Sequence, residues 1–139
     1  MLHIKNKEYI LQRILKPTIM TKYILLKTDS TIVPNFSGEG LKSKQKAVGG
    51  LIQPVHLEAG LTAYINEEGL LLNLPVNHLG CVTFKNYGVF NKYLFENCEV
   101  QGDILFECMT DAQHDMLKLS LEFGQRVNRL EKDIANSKS

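Results

Sequence analysis

The chain has 139 residues, a formal net charge of +1, 44% hydrophobic and 22% charged residues. That is the size and make-up of one globular domain with a core of its own, and it argues against disorder. No apolar run approaches the roughly 20 residues that span a bilayer, and Lys5, Lys7, Glu8 and Arg13 interrupt the early apolar residues, so neither a membrane span nor a signal peptide is expected.

Charge is unevenly spread. Up to Val48 there are nine Lys or Arg against three acids, and from Gly49 onward seven against twelve. Three readings are open: an anionic partner for the first half, packing of the two halves on each other, or a non-native start. A sequence pI near 7.7 gives no support to nucleic-acid binding as the main role. Cys81, Cys98 and Cys108 form no CxxC pair. Neither a zinc ribbon nor a disulfide framework is expected, and free thiols in a reducing cytoplasm fit better.

In chain order, residues 1–19 place Ile4, Ile10, Leu11, Ile14 and Leu15 on one stripe of a short basic helix that Pro17 would end. It reads as an extension or an upstream start, with Met20 opening the domain; a targeting helix is the other reading. Lys22–Lys27 is expected to be a strand, Asp29-Ser30 a turn, and Thr31–Val33 a second strand that Pro34 ends or places at an edge. Leu41–Val48 supplies two turns of helix, with Leu41, Ala47 and Val48 inward, Lys42, Lys44 and Lys46 outward, and Gly49 as left-handed C-cap. Three lysines beside Gly49-Gly50 do not make a phosphate cradle. Such a cradle needs its glycines before a helix N-terminus, where N–H groups point at the anion, and here they follow the helix.

Leu51–Leu57 and Leu61–Ile65 are the best strand candidates. Asn66-Glu67-Glu68-Gly69 then reads as a hairpin turn with positive φ at Gly69, leading into a strand at Leu70-Leu71-Leu72. Glu67 and Glu68 are neighbours whose side chains diverge, which disfavours an acid–base pair acting on one substrate atom. Asn73–Asn77 is a loop, and Asn77 is an N-cap for a short helix through His78–Phe84; the β-branched residues there leave a strand open as well. His3, His56, His78 and His114 are too scattered for metal-ligand spacing. Tyr87, Phe90, Tyr93 and Phe95 are expected in the core or at a lip. The acids from Glu96 to Asp115 read as a solvated edge without a calcium loop, Gln101-Gly102 as a turn and Asp103–Cys108 as a strand.

The last element is the most sharply specified. Thr110 and Gln113 form a capping box. Asp111 and Asp115 favour the helix start, and Arg126, Arg129 and Lys132 its C-terminal half. Met116, Leu119, Phe123, Val127, Leu130 and Ile134 recur at three- and four-residue spacing along one stripe. The stripe is expected either to dock on its own domain or, in the second half, to pair with a second copy through Phe123, Val127, Leu130 and Ile134.

The run from Val48-Gly49-Gly50 through an apolar strand to Asn66-Glu67-Glu68-Gly69, Leu74-Pro75 and Asn77, with the later Gly102-Asp103-Ile104-Leu105, resembles a family catalogued as domain of unknown function 3846. The resemblance covers about Met20 to Met109. Val76 stands where the family commonly has a second proline, the segment after Asn77 is more β-branched and aromatic than usual, and the long last helix is not part of the resemblance. It implies small accessory proteins of bacteria, phages and plasmids, with no agreed catalytic residues, so no active site is carried over.

The expected fold is α+β: a small, mainly antiparallel sheet with a short helix and a long C-terminal amphipathic helix, divided as 1–19 extension, 20–109 domain and 110–139 helix. The expected function is that of an accessory or binding protein of a mobile genetic element (phage, prophage or plasmid). It would act in the cytoplasm through protein contact, without catalysis, cofactor or metal, on an unknown partner or on itself as a homodimer. Alternatives are a small-ligand (nucleotide-like) binding or sequestering protein, with Gly49, Gly50, Asn66, Glu67, Glu68, Asn73 and Asn77 around the site, and a nucleic-acid-associated protein using Lys42, Lys44 and Lys46.

Overall fold

The computed structural model describes residues 21–88 and 99–138. The N-terminal stripe and the aromatic positions Phe90, Tyr93 and Phe95 lie outside those residues.

Five strands form one antiparallel sheet in the order β2-β1-β5-β4-β3. β1 (Lys22–Leu26) turns through Asp29-Ser30 into β2 (Ile32–Phe36), and β3 (Ile52–His56) turns through a 3-10 turn at Glu58–Gly60 into β4 (Thr62–Asn66). The Asp29 carboxylate accepts from the Thr31 N–H at 2.9 Å, the local bond that makes Asp-Ser a turn. β5 (Ile104–Cys108) enters last and lies between the two hairpins, pairing with β1 on one side and β4 on the other. The sheet therefore ends in β2 and β3. Each has a proline in mid-strand, Pro34 and Pro54. Proline has no N–H to give a further strand, so both edges are blunted against edge-to-edge pairing.

Alternation along the strands makes two cores. On one face Ile24, Leu26, Ala63, Ile65, Ile104, Phe106 and Cys108 meet α2 (His78–Tyr87) and α3 (Asp111–Ser137). Phe106 packs edge-to-face with Phe84 of α2, ring centres 6.3 Å apart. On the other face Tyr23, Leu25 and Leu105 carry α1 (Leu41–Val48) through Ala47. Gly49 takes the left-handed conformation at the end of α1 (φ 77°) and its N–H bonds Gln45 O, as the sequence predicts.

Asn77 settles the choice between helix and strand after the 73–77 loop. Its Oδ1 accepts from Gly80 N at 3.0 Å, while Nδ2 donates to Leu26 O and Gly102 O, each at 3.1 Å. Capping and burial together start α2 there despite its β-branched residues.

Three expectations are corrected. Leu70-Leu71-Leu72 is not a strand: residues 67–73 form successive turns with the leucines exposed, and the positive φ falls on Asn73 (54°) instead of Gly69. Asn66 is the cause, since its Oδ1 takes the Glu68 N–H and turns the chain out of the sheet. Gly69 meets a different demand, as a Cβ there would stand 3.1 Å from Gln101 O. In α1, Leu41 is exposed while Lys44 is drawn inward.

The third correction concerns α3. It docks on its own domain, but through His114, Leu117 and Leu121, and not through the predicted stripe. Gly124 lies on the docked side as well, against Leu79 of α2. Polar residues fix the docking. Gln113 Nε2 donates to Ala59 O, His114 Nε2 to Pro34 O and Gln125 Nε2 to Ser30 O, three loop or edge carbonyls that need donors. Lys22 and Asp111 add an ion pair at 2.9 Å.

Candidate functional site

Docking by that face leaves the predicted stripe outside. Met116, Leu119, Phe123, Leu130 and Ile134 are each more than half exposed, Phe123 reaching 70%, and Val127 is half-buried. At 100° per residue all six lie within about 40° of Phe123, and the docked residues lie roughly 150° around the helix. The stripe repeats every 3.6 residues over 18, so it runs straight for about 27 Å. Scattered surface leucines need no explanation, but an aligned row of this length marks an interaction face. Near its N-terminal end Met116 joins Ala59, Leu61, Tyr87, Ala112 and Gln113 around an apolar recess of about 280 Å³.

The opposite face of the sheet holds a dense group of ionisable side chains. Lys44 reaches back from α1 so that Nζ lies 5.0 Å from the centre of the Tyr23 ring and 5.3 Å from that of Tyr64, and donates to Gly38 O at 2.9 Å. Tyr64 donates to Glu107 Oε2 at 2.9 Å. The helix is thereby riveted to the sheet by a cation held on two aromatic faces. Gly38 stays a glycine because a Cβ would stand 2.6 Å from the Tyr23 ring.

Burial, reinforced by Glu107, pushes the Tyr23 phenol up to about 12. Burial and the hydrogen bond to Glu107 raise Tyr64 also. Burial lifts the Cys108 thiol to about 12. The two phenols, and the Cys108 thiol on the other face of the sheet, therefore hold their protons near neutral pH.

That arrangement predicts an alkaline transition. A raised pKa gives stability that is complete below the unfolded value and lost as pH rises through the folded one. Far-UV circular dichroism is expected to hold to about pH 9, where an unfolded thiol begins to ionise. Stability then falls as pH rises towards 12, with tyrosinate absorbance appearing together with unfolding. Tyrosinate absorbance that rises near pH 10 with the helix signal intact would contradict the burial argument.

The other residues singled out in the sequence divide into two sets. Asn66 and Asn77 are buried with their amides committed, Asn66 to Val48 O and Glu68 N. Gly49 and Gly50 both bond Gln45 O and end α1, and a Cβ at Gly50 would meet the Asn66 amide at 2.9 Å. Glu67, Glu68 and Asn73 lie exposed on the turns. The structure therefore brings Gly50, Asn66 and Glu68 together as a joint between α1 and β4, and holds Asn77 apart at the start of α2. The Lys44–Tyr23–Tyr64–Glu107 cluster has no signal in the sequence beyond strand alternation, which places Tyr23, Tyr64 and Glu107 on one face. Among the described residues no group of three His, Cys, Asp or Glu could hold a metal ion, and no helix is long and apolar enough to cross a membrane.

A family model described as a domain of unknown function, DUF3846, matches residues 20–130. The match runs past Met109, where the resemblance read from the sequence stopped, and takes in most of α3. No curated protein and no solved structure matches the chain.

Proposed function

The chain belongs to the DUF3846 family, and from that premise we propose that it is a non-enzymatic accessory protein of a mobile genetic element, working in the cytoplasm by protein contact. The outward row Met116–Ile134 on α3 is the observation that carries this reading. A helix polar on its exposed side would suffice to cover the sheet; an apolar one calls for a second surface. Both sheet edges are interrupted by proline, which disfavours strand addition as the mode of contact and leaves the helix face for it. A free, buried thiol at Cys108 suits a reducing compartment. The nucleic-acid alternative is weakened because Lys44 is committed to the tyrosine rings, leaving Lys42 and Lys46 of its three lysines.

Site-specific photo-cross-linking tests the reading. A benzophenone side chain at Phe123 or Leu130, in the full chain expressed in host cells, is expected to give a discrete cross-linked product, and the same group at Lys118 to give none. If the stripe positions capture nothing that Lys118 does not, the row is not a contact face and the proposal fails.

A further inference from the structure

We infer that the row on α3 is covered by a second copy of this chain, the two helices lying antiparallel about a two-fold axis near Gln125. This deepens the contact reading above and rests on it.

The order of the apolar residues along the row suits antiparallel pairing. Reflection about position 125 brings Met116 of one copy against Ile134 of the other and Phe123 against Val127, and sets Leu119 one residue, about 1.5 Å, from register with Leu130. Every member of the row finds an apolar counterpart, and the largest side chain meets a β-branched one. The row also continues straight along the helix, so two such helices can lie side by side for the whole 27 Å or so without one drifting off the other.

Charge suits antiparallel pairing as well. Residues 111–122 carry Asp111, Asp115 and Glu122 against Lys118, a net −2, and residues 126–137 carry Arg126, Arg129 and Lys132 against Glu131 and Asp133, a net +1. Antiparallel pairing sets the acidic half of each helix beside the basic half of the other. It brings Glu122 of one copy near Arg126 and Arg129 of its partner, twice by symmetry, and opposes the helix dipoles. Parallel pairing sets like beside like. Two like-charge approaches remain: Arg126 with its own symmetry mate beside the axis, where a Glu122 from each copy flanks the pair, and Asp115 with Asp133 at the rim, where Asp115 is 74% exposed and water and salt screen it. Sterics agree, because each domain sits roughly 150° around its helix from the row and so on the outside of the pair. A two-fold contact of this kind is self-complementary and closes at two copies.

The test uses the full chain. Light scattering is expected to give twice the monomer mass, and Phe123→Asp to raise the dissociation constant at least tenfold while its unfolding midpoint in dilute solution, where wild type is also monomeric, stays unchanged. Orientation is read by mild oxidation of Met116→Cys and Ile134→Cys, with wild type under the same oxidation as the baseline for native thiols. Mixed in equal amounts they are expected to form the 116–134 disulfide in preference to either symmetric one. A monomeric wild type, or symmetric disulfides dominating the mixture, overturns the inference. A monomeric chain whose Phe123 still cross-links to another protein in cells overturns this inference and leaves the contact reading standing.

Discussion

Asn77→Ala is expected to lower stability by about 3 kcal/mol, and Asn77→Asp by as much or more. Alanine loses the cap on α2, about 1 kcal/mol. It also strips donors from the buried carbonyls of Leu26 and Gly102, at about 1 kcal/mol or more each. Aspartate is as good a cap as asparagine, but it has no N–H to give, and its charge faces two carbonyl oxygens in a fully buried site. Urea unfolding of the three proteins separates the roles. If the aspartate variant matches wild type, Asn77 is only a cap, and its bonds to Leu26 O and Gly102 O add nothing to stability.

Leu121→Asp is expected to cost about 4 kcal/mol or more, enough to unfold a domain of ordinary stability. Leu121 is fully buried beneath α3 in the apolar core of Ile24, Phe84, Phe106 and Leu117. A carboxylate there must stay charged and unpaired or take up a proton. Phe123, two residues on, lies outside that core, and in solution dilute enough to keep wild type monomeric its aspartate variant is expected to keep the wild-type unfolding midpoint. Thermal melts of the two variants side by side test the orientation of α3. Equal destabilisation would mean that the helix docks through the row and not through His114, Leu117 and Leu121.

α3 also shows why periodicity alone could not assign its faces. The sequence holds two apolar tracks on this helix, a long one from Met116 to Ile134 and a short one of Leu117 and Leu121. Counting favours the long track as core. What decides is polar and remote in sequence: the carbonyls of Ser30, Pro34 and Ala59 need donors, and only the side with Gln113, His114 and Gln125 provides them. The two hairpins, the C-cap at Gly49 and the strand from Ile104 were legible because local alternation and turn chemistry determine them. Leu70-Leu71-Leu72 misled for the converse reason. The composition is that of a strand, yet the Asn66 side chain redirects the backbone before any pairing forms. Lys44 stood on the expected outer face of α1 by helical spacing, but a long flexible stem lets its cation curl back onto rings that spacing cannot see.

The placement of β5 bears on how the protein is made. The central strand is the last to leave the ribosome, 42 residues behind the end of β4 (Asn66 to Cys108). At about 5 to 20 residues per second, the newborn chain spends roughly two to eight seconds with both hairpins synthesised and nothing to join them. The exposed borders in that interval are the inner ones, β1 and β4, and neither KYILL nor TAYIN contains the proline that blunts the finished sheet's outer strands. Protection against mispairing is thus built into the mature molecule and missing from its half-made precursor, so a ribosome stalled before Ile104 releases the most aggregation-prone form of this chain.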